Sequence, residues 1–148
     1  MEYLVLLIIF IAIFIFMLTW KWISCSFHAY QLECWRKKHE RCHQYNTVKA
    51  NSFSELKIIE TELVGGSKEI EELLMRAGMP IPPDLAVAMT AWENQTVYAV
   101  QQHFETAIQR LKFEANSFKR PTTWPRIIGQ MFVRIFRGPF YRNNEKGP

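Results

Sequence analysis

The chain has 148 residues, 49% of them hydrophobic, with a formal charge of +4 and a pI near 9.1, and beyond an apolar N-terminal stretch about 125 residues remain, enough for one modest core. Residues 21–50 hold six Lys/Arg against two Glu, residues 51–78 hold six Glu against three Lys/Arg, and the C-terminal portion is basic again. Nucleic-acid binding needs clustered phosphate contacts, which this split distribution does not offer, so no nucleic-acid partner is expected.

Tyr3 to Trp20 is an uncharged run of 18 residues. As a helix it spans ~27 Å, close to the ~30 Å hydrocarbon core of a bilayer. A cleaved signal peptide needs a basic leading segment and small residues at the cleavage site, and neither is present. Ser24-Cys25 leaves lipidation of Cys25 as a weaker alternative to an uncleaved anchor. Trp20, Lys21 and Trp22 fit the membrane interface, where amphipathic rings and cations sit at the headgroups. The leading flank carries only Glu2, whereas Lys21, Arg36, Lys37, Lys38 and Arg41 follow the span. Retention of positive charge predicts the N-terminus outside and the body in the cytoplasm.

From Trp20 to about Tyr45 no Gly or Pro interrupts the chain, so the anchor is expected to continue as a stalk of ~25 residues, ~38 Å long. Phe27, Tyr30, Cys34, Trp35, Cys42 and Tyr45 recur mostly at intervals of three, four or seven, which predicts a packed stripe. Ser52 and Glu55 stand in capping-box spacing and open a second helix with Phe53, Leu56, Ile59 and Leu63 on its apolar face. Gly65-Gly66 predicts a kink, with Ser67 capping a continuation that Gly78 ends. Met79-Pro80-Ile81-Pro82-Pro83 cannot be helical. Asp84 is then expected to cap one long helix to about Phe118, its inward face made of Leu85, Met89, Trp92, Thr96, Ala99, His103, Ala107 and Leu111. His103 reads as a buried, hydrogen-bonded core histidine. Asn94-Gln95-Thr96 matches the glycosylation pattern but falls within this helix, so it reads as a chance match.

Pro121 and Pro125 bracket a linker. Beyond it, Ile127, Ile128, Met131, Phe132, Ile135 and Phe136 fall on one side of a helix and Arg126, Gln130, Arg134 and Arg137 on the other. This short basic amphipathic helix, ended by Gly138-Pro139, is the expected partner or lipid surface, since its cations suit an anionic leaflet. If the stalk descends, the second helix returns and the third descends again, it starts ~40 Å or more from the bilayer. That distance favours docking on its own bundle or on a partner over lipid.

The densest reactive cluster is His39-Glu40-Arg41-Cys42-His43. Two imidazoles four residues apart beside a cysteine could contribute to a zinc site, so His39, Cys42 and His43 are weak metal candidates that lack a fourth ligand nearby. The three cysteines, Cys25, Cys34 and Cys42, are odd in number and lie on one helix, which predicts free thiols. Asp84 is the only aspartate among 14 acidic residues, a balance that favours helices over carboxylate metal loops. No G-x-S-x-G, phosphate loop or H-E-x-x-H motif is present. No catalytic residue, metal or cofactor is therefore expected.

The tail resembles the LemA family. Phe113 to Asn116, Trp124-Pro125, Ile127-Ile128-Gly129, Met131-Phe132 and Pro139-Phe140-Tyr141 are similar in order and rough spacing to that family's C-terminal pattern. The family's early Leu-Ile-Pro-Asn-Leu segment is missing, and this chain is shorter than usual. The resemblance implies an N-terminal anchor with almost nothing outside and a cytoplasmic antiparallel helical bundle.

The sequence thus predicts an all-α protein. Residues 1–22 form a transmembrane anchor, and 23–118 a helical stalk and an antiparallel three- to four-helix bundle. Residues 119–148 form the proline-bracketed linker, a short C-terminal amphipathic helix and a polar tail. The expected function is a non-enzymatic, single-pass scaffold or adaptor that meets membrane lipid and recruits unidentified protein partners at the membrane face. One alternative is an accessory subunit of a secretion- or respiratory-type membrane complex. The other is a metal or redox enzyme using the His/Cys cluster.

Overall fold

The computed structural model describes residues 1–47 and 53–141, with the backbone alone for 45–47, 118, 131 and 134–141. Among these residues every regular element is helical, so the chain is all-α. The elements are α1 (Glu2–Thr47), α2 (Phe53–Gly65), α3 (Ser67–Arg76), α4 (Leu85–Thr90), α5 (Asn94–Ala115), 3-10 turns at Asn116–Lys119 and Pro121–Thr123, and α6 (Trp124–Tyr141). They divide into two compact units, the first ending at Ala115 and the second beginning at Asn116.

With no Gly or Pro to break its hydrogen-bond ladder, α1 runs unbroken for 46 residues, or ~69 Å. It is the one helix among the described residues long and apolar enough to cross a membrane: an 18-residue window has mean hydropathy 2.8, and none of it is buried. The second half of α1 has two faces. Ala29, Leu32, His39 and Cys42 are buried, while Trp20, Ile23, Phe27 and Tyr30 stand exposed on the other side.

Long-range contacts fix the direction of the helices on the buried face. Lys21 Nζ meets Glu114 at 2.9 Å and Gln101 Nε2 meets His39 at 2.6 Å, so α5 runs antiparallel to α1. Lys38 to Glu62 at 3.0 Å, Gln31 to Glu69 at 3.4 Å and Arg76 to His28 at 3.3 Å show that α2 and α3 together run back along α1 as well. The core between them contains Leu32, Leu63, Ile70, Leu74, Met89 and Ala107.

The Gly65-Gly66 break occurs as the sequence predicts, and the structure shows its reason. A Cβ on Gly66 would run into the six-membered ring of Trp35. The close approach of backbone to indole requires glycine there. Gly66, not Ser67, occupies the cap position, and no side chain caps α3; Ser52 of the expected capping box lies outside the described residues. At the other end of α3, Gly78 adopts φ +67°. Its N–H bonds to the Met75 carbonyl and that of Met79 to the Leu74 carbonyl, the paired closure of a Schellman motif.

The single long helix after Asp84 is not formed. Asp84 is left-handed at φ 54° and makes no capping bond. The chain opens at Ala91, whose ψ of 141° is extended, and restarts at Asn94. The break lets α4 turn Leu85 and Met89 into the core against α2, while α5 lies along α1. It also resets the helical phase. The inward face of α5 comprises Val100, Phe104, Ala107, Ile108, Leu111 and Ala115, whereas Trp92 and Ala99 are exposed and Thr96 and His103 half-exposed.

In the second unit, the linker forms two 3-10 turns closed by the Thr123 hydroxyl, which donates to the Ser117 and Arg120 carbonyls. α6 opens with Pro125 in its first turn, where a missing N–H has no cost. It does not stop at Gly138-Pro139 but runs to Tyr141. Pro139 forfeits one amide donor in the last turn, where few bonds remain to be lost.

Candidate functional site

Three regions hold the residues singled out by the sequence. At the first, Trp20 and Trp22 are exposed while Lys21 is half-buried by its ion pair with Glu114. Burial raises the pKa of the neighbouring Cys25 thiol, with Lys21 opposing and Glu114 adding to the shift. The end of the bundle nearest the apolar segment therefore reaches the level of Lys21. A shallow groove of about 460 Å³ lies on the same end, lined by Ala77, Thr106, Gln109, Arg110, Phe113 and Glu114. Arg110 is drawn to its rim by donating to the Gly78 carbonyl at 2.8 Å.

The second region is the His/Cys cluster, and it is not a solvated helix face. His39 is fully buried, with its ring 5.2 Å from that of His43 and 6.2 Å from Phe104. Nδ1 accepts from Gln101 Nε2 at 2.6 Å, which leaves the proton on Nε2. That atom is buried without a hydrogen-bond partner of ordinary geometry, the Met89 carbonyl giving weak backbone support. Burial first, and then the His43 charge, lower the His39 pKa to about 4. His43 is lowered in the same direction by burial, with the Ala91 backbone opposing.

Cys42 points elsewhere. It is buried, and burial together with Glu60 of α2 raises its pKa. The structure therefore joins His39 to His43 under the α4–α5 corner and separates them from Cys42. No group of three or more His, Cys, Asp or Glu side chains among the described residues could hold a metal ion. A raised thiol pKa also disfavours the thiolate that metal binding or nucleophilic attack requires. His103, expected in the core, is half-exposed and bonds to the Pro80 carbonyl at 2.8 Å.

The third region is α6. Ile127 is buried, Ile128 half-buried, and Arg126 and Phe132 exposed; the side chains of Met131, Arg134, Ile135, Phe136 and Arg137 lie outside the described residues.

Sequence reasoning missed Gln101, which satisfies His39, Glu114, which meets Lys21, and Trp35 as the neighbour of Gly66. Only the last had a local signal, a glycine pair inside a helical pattern. The other two depend on the phase of α5, which the break at Ala91 sets. No protein-family model, no curated protein and no solved structure matches this chain.

Proposed function

We propose that this protein is a single-pass membrane-anchored helical scaffold, with its N-terminus outside and its bundle in the cytoplasm, that recruits partners at the membrane face. The observation that carries the reading is the continuity of α1. The apolar segment and a central helix of the bundle are one rod, so the bundle is held at a fixed height on the bilayer. The charge asymmetry about the span supports the orientation. The resemblance of the tail to the LemA family agrees with it.

The return of α5 to Lys21 changes the argument for the amphipathic helix. Ala115 follows Glu114, the partner of Lys21, and the eight residues before α6 can extend at most ~29 Å. The expected ~40 Å separation had the third helix descending from the bilayer; instead the segment between α3 and α5 makes that descent, with Gly78 at Arg110 and Pro80 at His103, and α5 comes back toward the anchor. The length of the connection therefore no longer argues against a lipid-facing role for α6, whose arginines and apolar face suit an anionic leaflet or a docked partner.

Two measurements test this. Cys34 is exposed, so a membrane-impermeant maleimide should label it only after cells are opened; labelling of intact cells refutes the orientation. Affinity capture from membranes should lose a reproducible set of proteins when Arg134→Glu and Arg137→Glu are combined in the full chain. An unchanged set refutes recruitment through α6.

A further inference from the structure

The face of α1 opposite the bundle carries a seam of exposed side chains that no other helix covers among the described residues. Trp20, Ile23, Phe27, Tyr30 and Cys34 alternate at intervals of three and four, and the same alternation continues back to Leu6 inside the apolar segment. The average spacing of 3.5 residues is that of a left-handed coiled coil. Inside the span nearly every residue is apolar, so the spacing carries information only from its end onward. There, Ser24, Ser26, Gln31 and Glu33 flank a strip that stays uncharged as far as Cys34. Its large side chains are 63% (Trp20), 49% (Ile23), 56% (Phe27) and 67% (Tyr30) exposed.

Lipid does not explain this strip. At the same level, the other side of α1 is lined by the Lys21–Glu114 and Arg76–His28 contacts, whose charged groups require water or headgroups. Cys34 lies ~20 Å along the rod from Lys21.

We propose that two copies of this chain pair in parallel through this seam. The inference rests on the anchoring proposed above: copies inserted the same way lie parallel and in register, so each seam residue faces its own counterpart across a two-fold axis. The bundles, on the opposite face of each rod, lie outside the pair. The four large side chains from Trp20 to Tyr30 offer roughly 600 Å² per copy, which puts a pair at the foot of the ~1,200–2,000 Å² that stable interfaces bury, before the rest of the spans add their own packing. The next seam positions, Lys37 and Arg41, repel their counterparts and end the pairing beyond Cys34. A cysteine at a seam position faces its twin at about the ~4.4–6.8 Å Cα separation a disulfide spans.

Membranes carrying the full chain and treated with a thiol oxidant before extraction should yield a disulfide-linked dimer. It should be lost in Cys34→Ser and kept in Cys25→Ser. Phe27→Glu, and separately Ile23→Lys, should cut the yield at least about tenfold by placing unpaired charge in the seam. Phe53→Glu, at the exposed start of α2, should leave it unchanged. In lipid nanodiscs the wild type should have the mass of two chains and Phe27→Glu that of one, with the same helical circular dichroism. A monomer at every protein-to-lipid ratio, a dimer indifferent to both seam charges, or a link through Cys25 overturns the proposal. Release of the protein by alkaline carbonate would overturn the anchoring itself; a monomer that stays in the membrane defeats the pairing alone.

Discussion

The two halves of α1 are one helix built for two surroundings. From Tyr3 to Trp20 the side chains are uncharged, apolar on every side and almost all exposed, with Thr19 bonded back to the Ile15 carbonyl and no core against them among the described residues. From Lys21 to Gln44 one side is packed into the bundle, and polar residues there have named partners, as Gln101 serves His39 and Glu62 serves Lys38. An all-round apolar helix fits a solvent that is itself apolar, whereas a striped one fits a core. No glycine or proline lies at the junction of Trp20 and Lys21, so the apolar segment and the bundle helix continue as one rod.

This contrast predicts unequal sensitivity to substitution. Leu32, fully buried in the bundle half, should lose ~2–5 kcal/mol of unfolding free energy as Leu32→Ala, whereas Ile9→Ala in the exposed half should leave bundle unfolding within ~0.5 kcal/mol; denaturant titration of both in detergent compares them. A smaller effect follows from His39. Its folded pKa of about 4 lies below the 6.5 of an ordinary histidine, so the unfolded chain takes up a proton that the folded one refuses. Stability should be full above pH ~6.5 and fall by up to about 3 kcal/mol as the pH drops toward 4. Thermal melts across that range should show the loss, and His39→Leu should flatten it. Gly66→Ala, which drives a methyl into Trp35, should cost ~1–3 kcal/mol by the same denaturant titration. At the junction, Lys21→Ala removes a half-exposed ion pair and should change stability by less than ~1 kcal/mol, diminishing with salt.

Much of the bundle half was legible because its signals are local. The unbroken stalk follows from the absence of Gly and Pro before Tyr45, and the turn at Gly66 and the end at Gly78 follow from glycine itself. What misled were the residues whose setting depends on tertiary phase. Asp84 looks like a cap, yet it adopts a left-handed conformation after Pro82-Pro83, and the helix then opens at Ala91 because α4 and α5 pack on different neighbours. That opening shifted the inward face to Val100, Phe104 and Ile108, placed His103 at the margin and brought Gln101 over His39. His39 among Lys38, Glu40 and Arg41 reads as surface by composition. Its burial follows from its helical alignment with Ala29 and Leu32, which charged neighbours obscure.

The most direct test of one rod in two surroundings is amide hydrogen exchange along α1, with the full chain reconstituted in lipid nanodiscs. Continuous protection from residue 5 through residue 42, with no fast-exchanging break at Trp20 to Ser24, is the predicted result. Rapid exchange across residues 5–20 would contradict the membrane span. A fast segment confined to Trp20 to Ser24 would contradict the rigid connection between anchor and bundle.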